Sequence, residues 1–547
     1  MTQDNIITRD EVEGLIAEGN LIVVWHDYVL KLNSWIEKHP GGDKAILHEV
    51  GRDASDEMDV YHADETLKRM KAFAIGKKEA GPWHNFVPPI QGGIFRSVKE
   101  IANDNNDILR KNSGKVRTKK AGAPQEIQIG TKTAFAPILS NQQSNDYLHH
   151  SSQKCLDDFD NELVNKDLEV FPALDYETQS KITEKFRTLH ARFQREGYFN
   201  CNYWGYVREF SRISTLFFLS YYFFKPGWLF LSATCLGLAW HQLTFIAHDA
   251  GHLAITHNYQ VDNILGTLIA DLLGGLSLGW WKRNHNVHHI VTNDPVHDPD
   301  IQHLPFFAVS TRLLDNITST FYEKVLYYDA IAKVFIKIQH YSYYVVLCFG
   351  RFNLYRLSWE YLLLGLGPRK GKGAWLRYLE LVFLATFFYW FFYLVIACSL
   401  HTASDRWLYV LVSHIVTMPV HVQITLSHFA MSTSDLGVSE SFTQRQLRTT
   451  MDVDCPAWFD YVHGGLQFQA IHHLFPRMPR HNFRAAQKLV KEFCEDIGIK
   501  YTIYGFTEGN GEVIGKLKQV AKQASILAEC NKHMVEEIVS KPKTAKS

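Results

Sequence analysis

Three stretches of this chain carry almost no charge over lengths that a soluble core has trouble accommodating. From Ile213 to Ala247, 35 residues contain one charged side chain, Lys225, inside a Lys-Pro-Gly break. Leu381–Leu400 (20 residues) and Trp407–Ser434 (28 residues) contain no Asp, Glu, Lys or Arg. A helix needs about 20 mostly apolar residues to cross the hydrocarbon of a bilayer. These runs predict two helical hairpins, with spans near 205–224, 228–247, 378–400 and 407–427. The alternative is a set of buried soluble helices, against which the length and aromatic content of the runs argue. The mean hydropathy of −0.16 hides the pattern because it averages unlike segments. Two further segments, 261–281 and 341–367, interrupt their apolar residues with Asp262, Asp271, Arg351, Arg356 and Glu360. They predict helices lying in the membrane interface or beneath it.

The connectors inside the hairpins are short and weakly charged, whereas 248–374 and 435–547 are long and rich in Lys and Arg. The positive-inside tendency places the N-terminus, the middle segment and the C-terminus together in the cytosol. Lys plus Arg and Asp plus Glu both number 57, which excludes a nucleic-acid binder relying on a basic surface. Eight cysteines are scattered without a CxxC pair. That gives neither a zinc site nor a disulfide framework and suits a reducing compartment. The start, MTQDNIITRDEVEG, shows no cleavable secretory signal. The pattern divides the chain into a compact polar unit at 1–80, a linker and pre-membrane region at 81–204, a membrane domain at 205–510 and a tail at 511–547. The linker reads as flexible from roughly 100 to 165. It holds a basic patch, Lys111, Lys115, Arg117, Lys119 and Lys120, expected to lie in solvent or, less favoured, to touch anionic lipid.

Within the polar unit, His39-Pro-Gly-Gly forces a tight turn with little side-chain bulk, so backbone can approach something flat beside His39. A second histidine, His62, follows 23 residues later. Two imidazoles from opposite walls of a cleft can hold an iron that carries electrons but does not easily bind oxygen. Alone, the motif is equally consistent with an ordinary turn. The run LIVVWHDYVLKLNSWIEKHPGGDKAILHEVGRDAS and the later Tyr61-His62 resemble a cytochrome b5 domain over residues 5–78. The resemblance implies an α+β fold, haem b, and His39 and His62 as its axial ligands. His48 does not match a ligand position.

Histidine is the unusual residue of the composition: 27 in all, nine of them between His241 and His303. His248-Asp-Ala-Gly-His252 puts two imidazoles at i and i+4, one face of a helix. His285, His288 and His289 give i, i+3 and i+4, and Gln469-Ala-Ile-His472-His473 repeats the spacing with glutamine in the first position. One such pair means little, since chance helical pairs are common. Three groups, each beyond the same end of the predicted spans, are a stronger signal. Seven imidazoles exceed one tetrahedral zinc site, so two metal ions are expected. Imidazole suits iron, zinc, copper and nickel alike; an electron-carrying haem on the same chain favours iron with dioxygen.

The boxes HDAGH, HNVHH and QAIHH, the last followed by LFPRMPRHN, resemble the membrane fatty-acid desaturases that carry an N-terminal cytochrome b5 domain. The glutamine of the third box marks the front-end subgroup. The resemblance covers 5–78 and 205–510. It implies an all-α membrane domain of about four transmembrane helices with a cytosolic cap holding the three histidine boxes. It also implies a di-iron centre on His248, His252, His285, His288, His289, His472 and His473. An additional ligand is expected ahead of the third box, where His428 fits; the other reading of His428 is a helix-end histidine in the interface. His421 is a weaker candidate, and Gln469 either binds iron through its amide oxygen or holds a water. Asp298 and Asp300, near His257, His297 and His303, are expected to hydrogen-bond around the metal ligands. His149, His150, His190 and His533 are expected on the surface.

More narrowly, the long connector and WWKRNHNVHHIVTNDPVHDPDI look like the fungal sphingolipid delta-8 desaturases. The activity implied is oxygen-dependent insertion of a double bond into the long-chain base of a ceramide or related sphingolipid, in the endoplasmic reticulum membrane. NADH-cytochrome b5 reductase would feed the haem. Rival readings are a front-end acyl-lipid or acyl-CoA desaturase, a di-iron lipid hydroxylase, and a membrane-tethered electron-transfer haem protein.

Overall fold

The computed structural model describes residues 5–103 and 142–540, with the side chains of 142–152, 534, 535 and 537–540 outside that description. The basic patch at 111–120 and the side chains of His149 and His150 therefore lie outside the described residues. The N-terminal unit is a four-stranded sheet of order β1-β4-β3-β2, built from β1 (Ile6–Ile7), β2 (Ile22–Trp25), β3 (Tyr28–Lys31) and β4 (Ala74–Lys78). β2 and β3 form a two-residue hairpin in register Trp25 with Tyr28, and β1 runs parallel to β4. The short helices α1 (Arg9–Ala17), α2 (Asp43–Leu47), α3 (Ser55–Tyr61) and α4 (Asp64–Met70) flank it. Thr8 and Glu11 close a capping box at the start of α1, which satisfies two backbone donors reciprocally. Apolar residues fill both faces of the sheet, with Val12, Ile22, Val24 and Val29 on one and Val23, Trp25, Leu30 and Ile46 on the other. The unit runs past residue 80: Trp83 is buried and donates from Nε1 to Gly51 O at 3.1 Å.

The second part is almost entirely helical. It comprises α5 (Gln142–Val170), α6 (Tyr176–Arg195), α7 (Tyr203–Phe224), α8 (Leu229–Gly251), α9 (Tyr259–Thr267), α10 (Leu278–Ile290), α11 (Ala330–Leu347) and α12 (Gly350–Leu364). These are followed by α13 (Leu376–Cys398), α14 (Ala403–Ile415), α15 (Met418–Phe429) and α16 (Phe442–Thr449). The chain closes with α17 (Asp460–His463), α18 (Gln469–Leu474), α19 (Phe483–Ile497) and α20 (Phe506–Ser540).

Among the described residues, three helical stretches are long and apolar enough to cross a membrane: Leu229–Gly251, Leu376–Cys398 and Ala403–Phe429, the last comprising α14 and α15. The expected first span forms as α7, but Arg208, Glu209 and Arg212 leave only its C-terminal part free of charge. A fourth apolar stretch is instead the pair Tyr259–Leu273 and Leu278–Ile290, bent by 114°. α13 buries little of its apolar surface in the protein, with Val382, Tyr389, Tyr393 and Leu394 exposed, as a lipid-facing helix would. α11 exposes Ile331, Val334, Ile338, Tyr341 and Val345 and buries Ala332, Ile336, Gln339, Tyr343 and Leu347. That helical periodicity gives the apolar outer stripe expected of an interfacial helix.

Two expectations from the sequence change here. Residues 142–165, read as linker, belong to α5, and Leu156 is buried with Leu313, Leu314, Leu517 and Val520. The segment 511–547, read as a tail, is largely α20 over its described residues, packed through Val513, Leu517, Val520, Ala524 and Leu527. Both helices are polar on one side, so the single chain hides the stripe that tertiary packing buries.

Candidate haem cleft and metal centre

His39 follows a 3₁₀ turn at Ile36–Lys38, and His62 caps the end of α3. α3 is pinned to the β2–β3 hairpin by Asp59, which accepts from Trp25 Nε1 at 3.0 Å and pairs with His26 Nε2 at 2.9 Å. The two imidazole rings face each other with centroids 6.2 Å apart. A metal bound by one nitrogen from each ring at about 2.0 Å requires ring centres about 6 Å apart. His39 Nδ1 lies 2.7 Å from Gly42 O, and His62 Nδ1 lies 2.9 Å from Met58 O. Carbonyls only accept, so both rings carry their proton on Nδ1 and leave the Nε2 lone pairs free, the tautomer a metal ligand needs. Burial lowers His39 below the usual histidine range, and burial together with His39 brings His62 down to about 4. Neutral imidazoles at this separation fit the iron of a haem.

The histidine boxes converge. His248 and His252 at the end of α8, His285 on α10 and His472 on α18 bring one ring nitrogen each within 4.8 Å of one another. A second group, His288, His428 and His473, does the same. His289 stands between them, with its ring 4.1 Å from that of His473, 4.7 Å from His472 and 5.0 Å from His252. Its Nε2 is 3.1 Å from His285 Nε2. The nitrogens His248 Nε2, His252 Nε2, His289 Nδ1, His428 Nδ1, His472 Nε2 and His473 Nε2 are all buried without a hydrogen-bond partner. Burial holds His472 and His473 well below the usual histidine value, in the neutral form that metals take. Two clusters of orphaned lone pairs fit two metal ions.

His428 thus joins the cluster. Gln469 is buried one turn before His472 and His473, and its Oε1 has no hydrogen-bond partner. His421 does not join; it packs against Gly350 instead. Asp298 accepts from His288 Nδ1 at 2.8 Å, while Asp300 reaches His285 Nδ1 at 3.5 Å and takes Asn284 Nδ2. His303 lies against Phe307 and Phe429, His297 bonds Thr320 Oγ1, and His257 bonds Phe199 O. His533 is exposed, and His190 is half-buried: it stacks on Phe186 and Phe475 and meets Phe199 edge-on.

Close packing explains the glycine of the first box. A Cβ on Gly251 would lie 2.1 Å from Trp281 Cζ3, and Trp281 packs against His248, His252 and His285. The partners that fix α8 were not legible in the sequence. Buried Arg480, seven residues after the third box, bonds Asp249 and Glu209 and donates to Phe245 O at 2.9 Å. Tyr206 also bonds Asp249.

The haem unit docks directly on this centre. Its acids pair with bases of the helical part: Asp56 with Arg187 at 2.5 Å, Glu57 with Arg445 at 3.1 Å, Asp43 with Arg283 at 3.2 Å and Glu37 with Lys370 at 2.6 Å. Lys44 and Glu323 pair in the opposite sense. Ala45 packs with Val287, Ile290 and Phe321, and Val60 with Phe186 and Phe475. His48 accepts from Gln91 and meets the His297 ring edge-on at 5.3 Å, at the interface between the two parts. Tyr61, adjacent to His62, sets its ring edge against His289 at 5.9 Å. One side chain therefore spans from the haem cleft to the histidine cluster.

A sheet-bearing haem unit seated on a helical domain with clustered histidines defines the class, and comparison agrees. Residues 8–79 match the profile of the cytochrome b5-like heme/steroid binding domain, and 226–505 match that of the fatty acid desaturases. The chain belongs to the fatty acid desaturase family and carries a fused cytochrome b5 domain, which implies haem in the first part and di-iron in the second. Its relatives include the Delta 8-(E)-sphingolipid desaturase of Komagataella phaffii, 55% identical over 96% of this chain and 95% of the relative. The protein of the same description from Emericella nidulans is 52% identical over 97% of each chain. The Acyl-lipid (9-3)-desaturase of Borago officinalis is 32% identical over 79% of this chain and 91% of its own.

Proposed function

We propose that this protein is a sphingolipid desaturase that places a trans double bond at position 8 of the long-chain base of a ceramide. The observation that carries the reading is similarity along nearly the whole chain to proteins described as Delta 8-(E)-sphingolipid desaturases. His39 and His62 hold the haem. His248, His252, His285 and His472 hold one iron, and His288, His428 and His473 the other, with His289 between them. When bound, the irons would supply oxygen-dependent removal of two hydrogens from adjacent methylenes, and the haem would supply single-electron transfer. The remaining work falls to the chain. Asp298 and Asp300 fix the ring orientation of His288 and His285, a partner known to tune ligand basicity. The acid-to-base pairs between the two parts set the docking register, and Tyr61 fills the gap between them. The buried histidine cluster excludes water from the reacting bond.

The apolar helices are set in the endoplasmic reticulum membrane with both iron sites on the cytosolic side, where NADH-cytochrome b5 reductase reaches the haem. α7 crosses beside α8, with Arg208, Glu209 and Arg212 at the cytosolic interface. Lipid mass spectrometry of a yeast lacking sphingolipid desaturation and expressing this chain tests the assignment. A long-chain base two hydrogens lighter, with the bond at position 8, is expected. A product heavier by one oxygen would mean a hydroxylase, and a new bond confined to acyl chains would move the substrate to phospholipid or acyl-CoA.

A further inference from the structure

Four bases of the helical part that face the haem unit each hold one of its acids: Arg187 with Asp56, Arg445 with Glu57, Arg283 with Asp43 and Lys370 with Glu37. Lys282 and Arg477, at the same interface, pair with no carboxylate among the described residues. Lys282 on α10 is buried, and its Nζ donates to Asn263 Oδ1 at 2.8 Å, with the Tyr259 ring 5.3 Å away. Arg477, three residues beyond α18, donates from Nη2 to His257 Nδ1 at 3.4 Å, while its buried Nε has no partner. The acids whose charge reaches these cations are engaged elsewhere. Glu380 accepts from Ser277 Oγ and Gly279 N, and Asp262 from Thr256 N and Oγ1. Asp64 is exposed and forms no ion pair with Arg477. Burial accordingly lowers the basicity of Arg477, whereas Glu440 and Asp249 more than offset burial at Arg448 and Arg480. A desolvated cation without a counter-ion is costly to keep.

Both cations border the haem cleft. The glycines of the HPGG turn lie on α10: a Cβ on Gly42 would come 3.1 Å from Arg283 Cγ, and one on Gly41 3.1 Å from Asn286 Nδ2. Lys282 precedes Arg283, and with Pro40, Gly42, Tyr259 and Asn263 it lines a pocket beside the turn. Its charge adds to burial in lowering His39. On the opposite wall, the Arg477 charge adds to burial and to His39 in lowering His62. The two cations also share a strip of chain. Lys282 bonds Asn263, Arg477 bonds His257, and Asp262, tied back to Thr256, acts on both. One edge of the cleft thus presents two cations, one beside each axial histidine. Haem b carries two carboxylates, and both leave the same edge of its ring. Guanidinium and ammonium groups are the usual partners of such anions.

We propose that Lys282 and Arg477 bind the two propionates of the haem, so that the histidine-rich domain closes the carboxylate edge of the cofactor. Lys282 stands three residues before His285, on the helix that carries the second histidine box. This rests on the reading of His39 and His62 as haem ligands and adds to it the residues by which one part of the chain holds the cofactor of the other.

The test follows haem loss from the purified full-length protein to excess apomyoglobin by absorbance. Lys282→Met and Arg477→Met are each expected to speed the loss about tenfold, the effect of one charge-assisted hydrogen bond. Each should also move the haem midpoint potential negative, because an unpaired propionate favours ferric iron. Arg477→Lys, which keeps the charge, should fall between wild type and Arg477→Met. The apoprotein left by this transfer can be loaded with haem dimethyl ester. The ester should leave faster than haem, and at one rate in wild type and both Met variants. Either Met variant keeping the wild-type loss rate and potential overturns the proposal. So does equal acceleration of haem and ester loss, the mark of a loosened cleft. Should the variants misfold, wild type decides alone: an ester held as tightly as haem refutes the pairing and leaves the cations to another anion, such as phosphate. A wild type that binds no haem defeats the reading of His39 and His62 itself, a result independent of the variants.

Discussion

Replacing Asp298 by Asn changes one atom at the back of the metal centre. The carboxylate is fully buried and accepts three hydrogen bonds: from His288 Nδ1 at 2.8 Å and Asn293 N at 2.7 Å on Oδ2, and from Asp300 N at 2.8 Å on Oδ1. An amide has one acceptor oxygen. In the less costly orientation it keeps His288 and Asn293 and turns its NH2 toward the Asp300 N–H, so one bond is lost and two donors face each other. That costs about 1–3 kcal/mol, and the negative charge behind the His288 ring disappears. Loss of such a carboxylate partner typically lowers metal affinity or activity about 10- to 100-fold. The group containing His288, His428 and His473 depends most directly on this contact. In purified full-length protein, non-haem iron should therefore fall from about two toward about one per haem. Metal analysis normalised to haem absorbance reads this directly. An unchanged iron ratio together with wild-type turnover would refute the claim that Asp298 supports a metal ligand.

Three further perturbations follow from the packing. Tyr61→Leu should slow reoxidation of the reduced haem under oxygen and substrate by roughly tenfold or more, because the contact with His289 is lost. Tyr61→Phe should not, since the hydroxyl has no partner; stopped-flow absorbance separates them, and equal rates in wild type and Tyr61→Leu would reject the contact. Arg480→Met strands Asp249 and Glu209 in the interior and should cost about 3–5 kcal/mol; an unaltered thermal unfolding midpoint would contradict this. Burial, reinforced by Glu57, pushes the Glu49 carboxyl up from 4.5 to about 8. The folded state then holds a proton that the unfolded chain has released, so the contribution of Glu49 to stability falls as pH rises from about 4.5 to 8 and is level outside that window. Glu49→Gln should flatten the slope in thermal unfolding followed by haem absorbance; a slope equal to wild type would show that another group sets it.

Much of the site was legible because its chemistry is written in local spacing. Imidazoles at i, i+3 and i+4 share a helix face whatever the fold around them, so His285, His288, His289, His472 and His473 could be singled out from the chain alone. The HPGG turn marked His39 as a candidate that the cytochrome b5 resemblance made a haem ligand, and uncharged runs longer than a bilayer announced membrane helices. Long-range partners leave no such mark. Nothing near Arg480 in sequence announces Asp249 or Glu209, more than 200 residues earlier. Nor does the composition of 511–547 reveal a stripe buried against α5 and α11.

The sequence by itself determined that this chain joins a haem unit to a histidine-rich membrane domain, because ligand type, helical period and hydropathy are local properties. Tertiary structure alone decided how the seven box histidines and His428 divide between two groups with His289 between them. It alone seated the haem cleft one tyrosine away from His289. Those are consequences of which helices meet, and helices meet by burying apolar faces whose partners can lie anywhere along the chain.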